Sequence, residues 1–191
     1  MPQSADKQAR APRPAEGGDV RLLPMRAEHA HLWLRWREQA ASQRFNPLLR
    51  LPVEHLARRL TVACTSDLKD RTRGEYRWMV AAAGQPVGTV AATNVSWGMG
   101  YAEISYMLDE AHHGRGLGTR AVAHLVGKLF RETDLHRLYA LISPENLPSL
   151  RLVERLGFTQ EGRMRQHYLI QGRRVDELVY GLLRHEWKNS D

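Results

Sequence analysis

Met107-Leu108-Asp109-Glu110-Ala111-His112-His113-Gly114-Arg115-Gly116-Leu117-Gly118-Thr119 joins an extended apolar stretch to the strongest amphipathic pattern in the chain. Glycines at 114, 116 and 118 remove the side chains that would hold an anion away from the backbone. If a helix starts here, its first-turn N–H groups point outward unpaired and its dipole adds positive potential. Such a loop is built to cradle a pyrophosphate, with Arg115 and Arg120 adding charge at its rim. Two commoner nucleotide motifs are excluded. A G-x-G-x-x-G fingerprint starting at Gly114 needs glycine at 119, where threonine stands, and no Gly-Lys-Ser/Thr ending occurs. The plainer reading is a glycine-rich turn placed only for helix packing.

Downstream, Val122, Leu125, Val126, Leu129 and Phe130 fall at i, i+3, i+4, i+7 and i+8, one apolar helical stripe. Upstream, residues 76–83, 86–95 and 101–108 read as strands, separated by Gly84-Gln85 and by Trp97-Gly98-Met99-Gly100. The first gap predicts a tight hairpin, so the three form an antiparallel meander. Towards the C-terminus come a strand at 137–142, a helix from Asn146 to Gly157, and strands at 158–171 and 173–184 hinged at Gln171-Gly172. Towards the N-terminus, residues 20–25 read as a short strand. Leu32, Trp33, Trp36 and Ala40 share one helical face. A second helix starts near Pro52 and carries Val53, Leu56, Leu60, Ala63 and Cys64 on one stripe. Residues 1–18, rich in Pro, Ala and charge, predict a mobile tail before a single domain over 19–191. The order β-α-α-β-β-β-α-β-α-β-β predicts an α+β (mixed α/β) fold, a mixed sheet with helices on both faces.

Of 191 residues, 42% are hydrophobic, enough for a core that needs no disulfide or metal. The formal charge of +7 invites an anionic cofactor or nucleic acid. Its cations, nearly all arginine, are scattered among acidic residues, which points to a solvated surface and argues against nucleic acid. One cysteine, Cys64, cannot form an intrachain bridge, and as a residue on the apolar stripe it reads as core filling. No apolar run approaches the roughly 20 residues of a membrane span. The first 18 residues lack the apolar centre of a secretory signal. The expected compartment is the cytoplasm, with no membrane partner. Nine histidines occur, but no H-E-x-x-H and no cysteine pair, so no metal is expected.

Three ordered motifs resemble one family. His113-Gly114-Arg115-Gly116-Leu117-Gly118 is similar to R/Q-x-x-G-x-G/A, the acetyl-CoA signature of the GNAT superfamily, with histidine at the first position. Asn146-Leu147-Pro148-Ser149-Leu150-Arg151-Leu152-Val153-Glu154-Arg155-Leu156-Gly157-Phe158 resembles the N-x-x-S-x-R-x-x-E-K/R-x-G-F stretch of its RimJ/RimL-like branch. The segment from Gly172-Arg173-Arg174-Val175-Asp176 through Tyr180 to Glu186-Trp187 is similar to the same branch. The resemblance implies a mostly antiparallel sheet of six to seven strands and acetyl-CoA as donor, with coenzyme A as product. It implies coenzyme contacts from Met107, Leu108, His113, Gly114, Arg115, Gly116, Leu117, Gly118, Thr119, Asn146 and Ser149. The acceptor is an amine, a peptide N-terminus or a small molecule, and the protein a monomer or homodimer. A coenzyme-binding module with little catalysis is the alternative.

Aminolysis of a thioester needs a neutral amine, a donor to the carbonyl oxygen and a proton for the leaving thiolate. Asn146 can cap the helix it precedes. Ser149 matches the serine that in this branch donates a proton toward the coenzyme sulfur, or it simply bonds its own helix backbone. The tyrosine that many relatives carry just before E-K-x-G-F is Val153 here. The RimI-type glutamate aligns with Leu141, and the RimL-type glutamate with Tyr168. Glu103 is the best remaining carboxylate for a general base, acting through a water. It lies about 17 Å up-strand of Leu108 at roughly 3.3 Å per residue, on the face of Tyr101, Ser105 and Met107. The alternative is a strand glutamate paired with an arginine. His112 and His113 border the cradle, and either faces solvent. His167 and Tyr168 wall the acceptor pocket, and Asp176 serves the last hairpin.

Overall fold

The computed structural model describes residues 19–46 and 49–188, so the tail expected at 1–18 lies outside the described residues. Eight strands form one sheet: β1 (Val20–Pro24), β2 (Cys64–Thr65), β3 (Glu75–Ala82), β4 (Gln85–Ser96), β5 (Tyr101–Leu108), β6 (Arg137–Ile142), β7 (Thr159–Ile170) and β8 (Arg173–Leu183). Five α-helices accompany it: α1 (Ala30–Glu38), α2 (Ala40–Phe45), α3 (Val53–Val62), α4 (Leu117–Glu132) and α5 (Leu147–Arg155). The spatial order is β1-β3-β4-β5-β6-β8-β7, with β2 added beside β3. Only β2–β3 and β5–β6 run parallel; the other pairs are antiparallel.

Three sequence expectations are corrected. The helix expected to reach Ala40 breaks at Gln39, whose ψ of 147° is extended, and Ala40 starts a separate helix and is exposed. The helix after Pro52 stops at Val62, and Cys64 belongs to β2, paired with Glu75. Pairing with β3 thus overrides a sequence stripe that continued in register. The first hairpin turns on Ala83-Gly84, at φ 49° and 75°, one residue earlier than Gly84-Gln85. Those dihedrals match the twist of the flanking strands.

Strand alternation divides the core in two. Tyr76, Trp78 and Val80 of β3 and Ala102 and Ile104 of β5 point to one face, where Val122, Leu125 and Leu129 of α4 cover them. On the other face Trp33 of α1 packs with Leu56 and Leu60 of α3, Met25 and Cys64. Each fully buried large apolar side chain here contributes roughly 1.5–3 kcal/mol. Not every arginine joins the solvated surface expected from the sequence. Arg37 and Arg77 are buried. The Arg77 Nε–H donates to Glu75 at 2.6 Å, the Arg59 Nε–H donates to it at 2.9 Å, and the Arg77 guanidinium lies 4.3 Å from the Trp33 ring centre. Burial works against the Glu75 charge, but Arg77 and Arg59 outweigh it and hold the carboxyl below its ordinary range.

One break in the sheet positions everything that follows. The parallel strands β5 and β6 pair only at Tyr101–Arg137, Ala102–Leu138 and Glu103–Tyr139. Beyond that rung they diverge. Residues 104–108 of β5 and 140–142 of β6 leave their facing backbone edges without sheet partners, which opens a fork.

Candidate active site

A cavity of about 620 Å³ lies at the open end of this fork, between the end of β5, the start of α4, the first turn of α5 and α2. Arg120 N–H is the first to bond back into α4, to Gly116 O at 3.2 Å. The N–H groups of Leu117, Gly118 and Thr119 therefore precede the helical ladder. The N-cap is Gly116, at φ 70°, and it offers no side chain to satisfy them. The expected cradle residues Gly114, Gly116, Leu117, Gly118 and Thr119 all line the cavity. The two readings of the glycines divide between them. A Cβ on Gly114 or Gly116 would meet open space, and both residues are left-handed (φ 74° and 70°), so these two keep the turn and leave its backbone bare. A Cβ on Gly118 would stand 3.2 Å from Leu108 Cδ1 and Leu152 Cδ1, so Gly118 serves the packing of α4.

Met107, Leu108 and His113 also line the cavity. The His113 ring nevertheless turns back, its Nε2–H donating to the carbonyl oxygen of Leu108 at 3.0 Å, which fixes that tautomer. Arg115 is exposed and does not line the cavity. The sequence reading missed Asp109. Its carboxylate accepts from Arg35 Nη2 at 3.1 Å, Trp36 Nε1 at 3.2 Å, Gln39 Nε2 at 3.0 Å and Ala111 N at 3.1 Å. Burial opposes its charge, but these bonds outweigh it and hold the carboxyl below its ordinary range. Ala41 N–H donates to Glu110 Oε1 at 2.6 Å. Together these bonds fasten α1 and α2 over the cradle loop.

Across the cavity, Asn146 caps α5: its Oδ1 accepts from Ser149 N–H at 3.3 Å. Both residues line the cavity. Tyr106, not singled out from sequence, reaches over from β5, its hydroxyl donating to Ser149 O at 3.5 Å, and burial pushes that hydroxyl up to about 12. Val153 is fully buried in the main core. Cys64 is buried as well, and burial followed by the Glu75 charge pushes its thiol up to about 12, which disqualifies it as a nucleophile.

Glu103 lies outside this cavity, at the last rung before the fork and on the face away from the main core. Its Oε2 accepts from Asn94 Nδ2 at 2.7 Å, and Asn94 is held at φ 48° in a β4 bulge. Burial raises the Glu103 carboxyl above its ordinary range, opposed by hydrogen bonds from Asn94 and Tyr139. Its partners are neutral donors, not one of the many arginines. A second carboxylate, Glu177 of β8, shares the face; burial and then the Glu103 charge push it up to about 7. Asp176 points the other way and pins the hairpin, accepting from Arg163 Nε at 2.6 Å and Gln166 N at 2.7 Å. Among the described residues, no three His, Cys, Asp or Glu side chains group to hold a metal ion. No helix among them is long and apolar enough to cross a membrane.

Residues 19–159 match the acetyltransferase (GNAT) domain family. The chain belongs to the GNAT acetyltransferase family. Over 98 residues this GNAT chain is 40% identical to the probable N-acetyltransferase YjcK of Bacillus subtilis (strain 168), covering 51% of the chain and 54% of YjcK. Over 125 residues it is 26% identical to the spermidine N(1)-acetyltransferase of Escherichia coli (strain K12), covering 64% of the chain and 67% of that protein. The chain thus spans about half the length of YjcK, and two thirds of the spermidine enzyme. Among solved structures, Mycobacterium smegmatis RimJ in complex with CoA-disulfide superposes with a TM-score of 0.79 at 25% identity, covering 90% of this chain and 85% of that one. The GNAT cavity fits such a ligand: bare glycine backbone and free N–H groups suit the pyrophosphate, and the fork's unpaired edges suit the amides of the pantetheine arm.

Proposed function

We propose that this GNAT chain is an acetyl-CoA-dependent N-acetyltransferase that moves an acetyl group onto a primary amine by direct attack in a ternary complex. The observation that carries the reading is the fork with Glu103 at its closed end and the uncapped α4 N-terminus at its open end. Acetyl-CoA, when bound, supplies an activated thioester. The N–H groups of Leu117, Gly118 and Thr119 bind its diphosphate, with Met107, Leu108, His113 and Gly114 around them and Arg115 outside the cavity, able to add charge only from its exposed rim. Asn146 orients the pantetheine arm. Ser149, held at the α5 N-terminus beside the Tyr106 hydroxyl, donates a proton toward the departing sulfur. Glu103 receives a proton from the amine through a water. The raised affinity of Glu103 for protons suits a base acting near neutral pH.

The acceptor is a small-molecule amine, as the name of the spermidine-acetylating relative illustrates, or a peptide α-amine. The test is thiol release from acetyl-CoA across a panel of polyamines, simple alkylamines and peptides with free Ala, Ser or Thr N-termini. Amine-dependent release is expected for at least one class. A chain that binds acetyl-CoA but releases thiol with none of them is a binding module.

A further inference from the structure

A second cavity, of about 330 Å³, is lined by Arg59, Arg73, Gly74, Thr93 and Asn94 among others. Strand register sets it beside Glu103. Thr93 of β4 pairs with Glu103 of β5, so the two side chains stand next to each other on one face. Asn94 also lines the cavity and donates to the Glu103 carboxylate. On the next strand, Tyr76 pairs with Ala92 and points into the main core. Glu75, one residue back, stands level with Thr93 and faces as Glu103 does. It lies two strands from Glu103, roughly 10 Å at about 4.8 Å per strand.

Charge at this end does not balance. Arg59 and Arg77 both pair with Glu75, at 2.5 Å each. Arg73 pairs with Asp70 at 3.2 Å and donates to the carbonyl oxygen of Val62. Arg37 is buried and donates to the carbonyl oxygen of Leu49 at 2.9 Å, with no carboxylate paired to it among the described residues. Burial, then the Arg59 and Arg77 charges, hold Arg37 below its ordinary range. Four guanidiniums thus meet two carboxylates. Excess charge in a partly buried cluster is costly until a counter-ion arrives. The Arg59 side chain is 43% exposed and lines the cavity, so a counter-ion can reach it.

We propose that this cavity binds an oxyanion belonging to the acceptor, so that the amine acetylated carries a carboxylate or phosphate several bonds from its nitrogen. Guanidinium forks match the paired oxygens of either group, and Thr93 adds a hydroxyl donor. With the nitrogen beside Glu103 and the oxyanion against Arg59 and Arg73, the acceptor lies across β4. That span excludes glycine, whose carboxylate is too near its amine, and favours a longer amino acid or an amino phosphate. A plain alkylamine of equal length reaches Glu103 but leaves the arginines unanswered. The anion thus selects among amines without taking part in the transfer.

The role of the cavity in turnover rests on the acetyltransferase reading, but its occupancy can be observed without turnover. Nitrogen-15 NMR of the full chain reads the backbone amides of Gly74 and Thr93. Titration with 6-aminohexanoate should move both signals to saturation, while hexylammonium chloride and sodium chloride at equal ionic strength leave them in place. In Arg73→Gln the apparent Kd should weaken about tenfold, the worth of a hydrogen bond to a charged group. Arg59→Gln should do the same where it folds, and Arg73→Gln decides the matter where it does not. Signals that 6-aminohexanoate does not move, or that sodium chloride moves equally, overturn the site. In turnover, kcat/KM for 6-aminohexanoate relative to hexylamine should exceed one and fall about tenfold in Arg73→Gln. An unchanged ratio overturns selection by the anion. Replacing the carboxylate by 5-aminopentyl phosphate shows which oxyanion gains more. If the signals move and no amine is acetylated, the site stands and the acetyltransferase reading falls. If hexylamine is acetylated and the signals stay still, the acetyltransferase reading stands and the site falls.

Discussion

On the side of the fork proposed for the coenzyme, the surface is backbone: three free N–H groups at the start of α4, laid bare by Gly114 and Gly116. On the side proposed for the acceptor it is side chains: Glu103 and Tyr139, carried by two different strands, with Glu177 of a third strand on the same face. Backbone donors do not titrate and cannot be removed by a single side-chain deletion. Carboxylates titrate, and each can be removed alone. The coenzyme side should therefore fail only when its turn is forced into another conformation, and the acceptor side when one charge is lost.

The largest expected effect is on the acceptor side. Glu103→Gln keeps the shape and the Asn94 contact but removes the basicity. It should lower kcat/KM by roughly 10²–10⁴ near neutral pH, with a smaller loss at high pH, where the amine is already neutral. Retention of most activity at pH 7 would move the base to another group and erase the contrast between the two sides. Next in size is Gly116→Val, which forces a branched residue into the left-handed region at roughly 1–2 kcal/mol. Acetyl-CoA at a hundred times its Kd stabilises a native protein by about 2.7 kcal/mol, read as a rise in Tm. That rise should disappear in Gly116→Val and persist in Gly118→Ala, whose new methyl meets only the flexible ends of Leu108 and Leu152. Loss of the rise in Gly118→Ala and not in Gly116→Val would reverse the roles assigned to the two glycines.

The same contrast explains what the sequence revealed. The cradle is local: glycines two residues apart, just before a helical stripe, state their purpose within a few residues of chain. The meander, α4 and the β7–β8 hairpin are equally local, because period and turn residues agree there. Glu177 reads in sequence as one polar position in an alternating strand. Its relation to Glu103 exists only once β8 takes its register beside β6, and the β7 bulge between Met164 and Tyr168 brings His167 and Tyr168 to face it. Asp109 was missed for the same reason, since Arg35, Trp36 and Gln39 stand 70–74 residues away. Cys64 fails in the other direction: the α3 stripe runs on in sequence past the point where pairing with β3 has ended the helix.

Asp109 offers a medium-sized test of how the two regions are joined. Asp109→Ala leaves Trp36 Nε1, on a fully buried ring, without its acceptor, which should cost about 1–3 kcal/mol of stability. The sign of the pH dependence follows from a folded-state pKa held below the unfolded one. The stabilisation is present above the unfolded value, about 3.9, and is lost as pH falls through the folded value. The Tm gap between the native chain and Asp109→Ala should hold constant near neutral pH and close in acid. A gap that instead widens in acid would mean the carboxylate opposes folding.

The smallest expected effect lies at His113, the position where the family signature carries Arg or Gln. A cationic or amide side chain there would reach an anion, but this imidazole is exposed and spent on Leu108 O at the end of β5. If the coenzyme side works through its backbone, His113→Ala removes a surface bond and nothing the diphosphate needs. Such a change falls within about 0.5 kcal/mol, so the acetyl-CoA Kd measured by calorimetry should shift less than roughly threefold. A weakening of tenfold or more would mean that the ring leaves Leu108 and turns into the cavity when the anion arrives. The coenzyme side would then depend on a side chain, as the acceptor side does.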